Sequence, residues 1–133
     1  MTNRPVVFFV DDQEGILRFA TILLERAGYH VLTAASAEEA GRVIDAYEDA
    51  IDVLLMDINL PDAWGANLAQ TLRLAHPEMR VVYTTGFAGT DEVLSGGLND
   101  AELVLPKPFS GDALIEIIER ARRRGSGPEV GED

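Results

Sequence analysis

The stretch that decides the fold is Pro5-Val6-Val7-Phe8-Phe9-Val10, a continuous apolar, β-branched and aromatic run that stops at Asp11-Asp12. A strand with one wet face alternates apolar and polar residues; an unbroken run of this length reads as a strand buried on both faces. Comparable runs recur at residues 30–33, 52–56, 80–84 and 102–105, each separated from the next by a segment with helical spacing. Five buried-type strands interleaved with helices call for an α/β, doubly wound parallel sheet with helices on both faces, built through right-handed crossovers.

The intervening segments carry their own punctuation. Ile16, Leu17, Phe19, Ala20, Leu23, Leu24 and Ala27 form one broad apolar stripe that ends at Gly28, a C′ residue. Phe8, Phe9 and Phe19 are assigned to the core by this spacing. Ser36 and Glu39 read as a capping box ahead of Ala40, Val43, Ile44 and Tyr47. Leu68, Leu72 and Ala75 mark a third helix over 67–75, stopped by His76 and Pro77. Thr90 opens a fourth, but Ser95, Gly96 and Gly97 interrupt it, and paired glycines cost about 2 kcal/mol relative to alanines. Ser110 caps a fifth, with Ala113, Leu114, Ile117, Ile118 and Ala121 inward and Arg120, Arg122, Arg123 and Arg124 at its solvated end. The folded unit is expected to span residues 4–124, and 125–133 to be a disordered tail or linker remnant.

Composition narrows the function classes. The chain has 133 residues, 47% hydrophobic and 26% charged, which is one ordinary globular domain. Without cysteine there is no disulfide framework, thiolate nucleophile or Cys-built metal site, and a cytoplasmic location is the default expectation. A net charge of −12 disfavours nucleic acid and anionic lipid, and no run is long enough for a signal peptide or membrane insertion.

In a doubly wound sheet the ligand lies beyond the carboxyl ends of the strands. There the sequence places Asp11 and Asp12 after strand one, Asp57 after strand three, Thr85 after strand four and Lys107 after strand five. Carboxylates gathered within about 5 Å repel by roughly 3 kcal/mol per pair at an effective dielectric near 20. They require a cation, and an all-oxygen acidic set favours Mg²⁺. Lys107, the sole lysine, stands between Pro106 and Pro108 and supplies a second positive charge. A carboxylate nucleophile, a divalent ion, a hydroxyl and an ammonium compose a phosphoryl-transfer site. With no phosphate-binding glycine loop, the donor is not expected to be ATP.

These residues resemble the receiver domain of two-component response regulators: Asp11-Asp12, then Asp57 with Asn59, Pro61 and Gly65, then Thr85-Gly86, then Lys107-Pro108-Phe109. The resemblance covers about residues 4–124 and implies a flavodoxin-like strand order, 2-1-3-4-5. Receivers are among the examples behind the strand-end rule, so agreement on that point is not independent. It further implies that Asp57 accepts a phosphoryl group from a sensor histidine kinase, or from a hybrid kinase or phosphotransfer protein. Asp12, Asp57 and the carbonyl of Asn59 would hold Mg²⁺, with Asp11 acting on it directly or through water, and Thr85 and Lys107 would contact phosphoryl oxygens. The Lys107–Pro108 bond is often cis in this family. Such a domain is no enzyme toward other substrates, although slow self-catalysed phosphorylation and dephosphorylation are expected. Val104 stands where the family often has an aromatic switch, so the output surface, or a role as phosphate relay or sink, stays open.

Other readings compete. Asp11 and Asp12 also fit a helix cap, and a register shift of one residue puts Thr84 in place of Thr85. Asn59 and Pro61 also fit a loop-shaping role, and His30 and His76 are isolated from any second histidine. A module without its own output domain is expected, because little sequence follows Arg124. The rival functions are a receiver-like scaffold that is never phosphorylated and a haloacid-dehalogenase-like phosphatase. The latter expects an aspartate where Asn59 stands.

Overall fold

A computed structural model describes residues 4–86 and 103–123. Chain order among them is β1 (Val6–Val10), α1 (Glu14–Arg26), β2 (His30–Ala34), α2 (Ala37–Ala46), β3 (Val53–Asp57), β4 (Asn59–Leu60), β5 (Ala63–Trp64), α3 (Gly65–Ala75), β6 (Arg80–Thr85), β7 (Leu103–Pro106) and α4 (Gly111–Arg123). The expected helix after Thr90, with Ser95, Gly96 and Gly97, lies outside the described residues, as do Glu102, Arg124 and the segment 125–133.

The main sheet runs β2-β1-β3-β6-β7 and every pairing in it is parallel. Counting only its own strands, this is the expected order 2-1-3-4-5. β4 and β5 form a separate antiparallel hairpin that the sequence reading treated as loop. Alternation along the strands splits the core into two layers. Val6, Phe8, Val10, Leu54 and Met56 pack with Ala40, Ile44, Ala69 and Leu72 of α2 and α3. Val7, Phe9, Val53, Leu55 and Val82 pack with Ala20, Leu24, Leu114 and Ile118 of α1 and α4. Both faces of the sheet are thus covered, which is why the central strands read as unbroken apolar runs.

Several boundaries shift, each for a local reason. Asp52 stands before β3 because its carboxylate accepts the Val6 N–H at 2.7 Å, tying down the start of β1. At the other end the ladder continues through Asp57, opposite Thr84, and β6 includes Thr85, opposite Pro106. Asp57 and Thr85 therefore close their strands rather than follow them. Phe19 corrects the assignment of all three phenylalanines to the core: Phe8 and Phe9 are fully buried, but Phe19 is 43% exposed. It sits one residue, about 100° of helix rotation, before the buried Ala20, and its ring rests against Phe109 at 6.5 Å between centroids. Ala27 is likewise exposed.

The terminal signals at Gly28, Ser36 and Ser110 are borne out. Ser36 Oγ accepts the Glu39 N–H at 3.1 Å, while Glu39 Oε1 accepts the Ala35 N–H at 2.8 Å, one residue earlier than the simplest capping box. Ser110 Oγ accepts the Ala113 N–H at 3.1 Å. Gly28 takes the left-handed φ of 100° that lets the chain leave α1. Asp62, at the hairpin tip, adds a cap from a distance: its carboxylate accepts the Ala37 N–H at 3.0 Å, and this bond to the start of α2 lowers its pKa.

Two positions make measurable commitments. A Cβ on Gly65 would lie 2.3 Å from the carbonyl oxygen of Asp57 and 2.8 Å from the Ile58 Cα, both immovable backbone. Gly65→Ala is expected to destabilise the fold by about 1–3 kcal/mol through overpacking, read by chemical denaturation. Tyr29, buried under α4, donates its hydroxyl to Glu119 and carries Arg122 over its ring at 5.7 Å. Burial, then the Glu119 bond, pushes its phenol up to about 12. A folded-state value above the unfolded one, about 10, gives stability that is complete below pH 10 and lost as pH rises through 12. Unfolding midpoints measured across pH 10–12 should fall less steeply in Tyr29→Phe than in the parent chain.

Candidate functional site

Three strand ends converge on one layer. Counting outward from the α1/α4 face of the core, Val7 and Phe9 lead to Asp11, Val53 and Leu55 lead to Asp57, and Leu103 and Leu105 lead to Lys107. The period of two sets all three side chains on the same side of the sheet at its carboxyl edge. The carboxylates of Asp11, Asp12 and Asp57 each offer an oxygen within 4.8 Å of the others. Lys107 Nζ lies 2.8 Å from Asp11 Oδ2 and 3.4 Å from Asp57 Oδ2.

Burial decides the electrostatics here. Asp11 is fully buried and the Asp57 side chain is 5% exposed. Asp11 Oδ1 accepts the Gln13 N–H at 2.8 Å in a turn just before α1; Gln13 is the N-cap, so neither Asp11 nor Asp12 caps the helix. Its Oδ2 is paired with Lys107 by charge but lacks the alignment of a hydrogen bond. Burial raises the pKa of Asp57; the Asn59 N–H, donated to Oδ1 at 3.1 Å, and the Lys107 charge oppose that rise. One ammonium against three clustered carboxylates leaves the site short of positive charge.

An open cavity of about 590 Å³ gives access, lined by Asp12, Gln13, Ile16, Asp57, Asn59, Gly86, Lys107 and Pro108. Asp12 and Asn59 are exposed along it. Lys107 is held at the rim by its own N–H, donated to the Thr85 carbonyl at 2.7 Å, and the Lys107–Pro108 bond is cis. Hard oxygen donors, a buried carboxylate oxygen without a hydrogen bond and a shortfall of positive charge fit a divalent ion such as Mg²⁺.

The threonines are placed less simply. Thr85 is fully buried, does not line the cavity, and donates its hydroxyl to the Gly86 carbonyl at 3.2 Å. Thr84 is opposite Asp57 in register, so it shares the Asp57 face, and its buried hydroxyl has no hydrogen-bond partner. Gln13 is the residue that sequence reasoning missed. Its Oε1 accepts from Lys107 Nζ at 3.2 Å. Only its position beside Asp12 marked it, since an uncharged amide at a helix start carries no chemical signature.

His76 pairs with Glu78 at 3.2 Å, and among the described residues no cluster of histidines forms. No described helix is long and apolar enough to cross a membrane.

Comparison with known proteins gives a consistent result. The cell cycle response regulator CtrA of Brucella ovis is 30% identical over 121 residues, which is 91% of this chain and 51% of that protein. The chain thus spans about half the length of the curated relatives it matches. A receiver domain protein from Clostridium thermocellum superposes with a TM-score of 0.78 at 29% identity, covering 90% of this chain and 95% of the other. NtrX from Brucella abortus gives 0.77 at 28% identity, covering 91% of this chain and 26% of that one. The family model of the response regulator receiver domain matches residues 7–119, from the first buried strand into the last described helix, and this chain belongs to that family of two-component signalling.

Proposed function

We propose that Asp57 is the phosphoacceptor of a phosphorelay, charged by the phosphohistidine of a sensor histidine kinase or of a hybrid kinase or phosphotransfer protein. The observation that carries this reading is the position of Lys107 Nζ, 2.8 Å from Asp11 and 3.4 Å from Asp57, beside an open cavity that admits a donor. Asp57 attacks phosphorus through a carboxylate oxygen, the histidine nitrogen leaves, and an acyl phosphate results. Lys107 follows the new charge from Asp11 toward the phosphoryl oxygens, a shift its long flexible stem allows. Asp11, Asp12, Asp57 and the Asn59 carbonyl would hold Mg²⁺, which neutralises charge on the transferring group. Thr85 binds a phosphoryl oxygen after exchanging its bond to Gly86, with Thr84 as the competing hydroxyl. Residues 4–124 are the unit that carries this function, and its output passes through protein contacts or through onward phosphoryl transfer.

A receiver-like scaffold that is never phosphorylated is the alternative. Against it stands the cost of Asp11, a carboxylate buried beside two others, which binding a partner by surface contact would not require.

Incubation with acetyl phosphate and Mg²⁺ is expected to add about 80 Da in intact mass, the mass of one phosphoryl group. The adduct should vanish in Asp57→Asn and on chelation of the metal. An unmodified mass in the parent chain favours the scaffold. Beryllofluoride titration, followed by the fluorescence of the half-buried Trp64, should weaken by about tenfold in Thr85→Ala, a charge-assisted hydrogen bond's worth. Weakening in Thr84→Ala alone moves that role one residue back.

A further inference from the structure

Among the described residues that line the opening, Gln13 has a polar side chain with no part in the chemistry above. Its neighbours fix it in two ways. The backbone N–H is held by Asp11 Oδ1 at 2.8 Å, and the side-chain oxygen faces Lys107 Nζ at 3.2 Å. An ammonium only donates, so the carboxamide oxygen is the atom committed to Lys107 and the NH2 group is free to serve another acceptor. Although Gln13 is the N-cap of α1, its side chain makes no cap bond, so the helix does not claim it. The ammonium that holds it also lies 3.4 Å from Asp57 Oδ2. The amide therefore sits at the mouth of the cavity, one lysine away from the acceptor carboxylate.

We propose that Gln13 sets the lifetime of phosphoryl-Asp57 by orienting the water that hydrolyses it, an inference that rests on the phosphoacceptor reading of Asp57. In this step the water oxygen attacks phosphorus and the bond from phosphorus to the Asp57 carboxylate oxygen breaks. The electron pair of that bond returns to the carboxylate, and both of the water's protons, including the one it sheds on attack, leave with the inorganic phosphate. A carboxamide is too weak a base to take that proton, so Gln13 contributes aim alone, as glutamines do for the attacking water in GTPases. Lys107 has two tasks in this arrangement: it neutralises the phosphoryl group and keeps the amide turned toward it.

The test charges the parent chain and Gln13→Ala with acetyl phosphate and Mg²⁺, removes the donor, and follows the adduct by intact mass. Decay is expected to slow roughly fivefold in Gln13→Ala, the worth of one hydrogen bond made in the transition state. The unfolding midpoint should stay unchanged, and any change in phosphoryl uptake should be smaller than the change in decay. Gln13→Asn, which keeps the amide on a shorter arm, should decay at an intermediate rate. Equal decay in the parent and Gln13→Ala overturns the proposal. Slower uptake with equal decay also overturns it, reducing Gln13 to a support for Lys107. If the parent takes up no phosphoryl group, the phosphoacceptor reading of Asp57 falls, and this inference falls with it.

Discussion

One cation shared between two buried carboxylates governs this molecule. Lys107 leaves the edge strand β7 and reaches past β6 and β3 to Asp11 at the end of β1, touching Asp57 on the way. Stripping water from a carboxylate costs several kcal/mol, and a buried pair that loses one partner loses about 3–5 kcal/mol of stability. The strand order, the parallel register and the cis Lys107–Pro108 bond bring that ammonium to the carboxylates. A shorter or bulkier cation would not serve the same span, because the reach needs a slender four-carbon stem ending in a compact charge.

The arrangement is electrostatically incomplete, and that incompleteness suits the chemistry proposed for it. A fully neutralised cluster would have little affinity for further charge. Here one ammonium faces three carboxylates, and burial already raises the proton affinity of Asp57. On the proposed reading, a divalent ion and a phosphoryl group together would restore balance, one supplying positive charge and the other drawing Lys107 outward. Receiver family membership and the local geometry are both compatible with that proposed chemistry.

Much of this was legible along the chain because buried parallel strands leave unbroken apolar runs, and because the residue ending such a run must emerge at the sheet's edge. Phe8, Phe9 and the core of α4 follow from that pattern alone, as do the positions of Asp11, Asp57 and Lys107. Phe19 did not follow. A seven-residue stripe is wider than the surface a helix can lay on a sheet, and spacing does not say which margin stays wet. The choice between Thr84 and Thr85 turns on pleat and on the last rung of the ladder, which extends through β6 to its final residue. The hairpin of Asn59–Leu60 and Ala63–Trp64 is too short to carry a periodic signal. Gln13 could not be read along the chain, since its contact with Lys107 depends on what stands opposite it rather than on what it is.

Gly65 gives the site a mechanical character. Its N–H donates to the Ile58 carbonyl at 2.8 Å, and its missing side chain lets the start of α3 rest directly on the backbone of Asp57. That contact is an abutment: the main chain beneath the carboxylate has no room to recoil. If Asp57 is charged as proposed, the strain would fall on the parts that can yield, the lysine arm and the rim it is fastened to. On that reading the fold would give displacement at this edge a direction, away from the α3 buttress and toward the end of the sheet that carries β7.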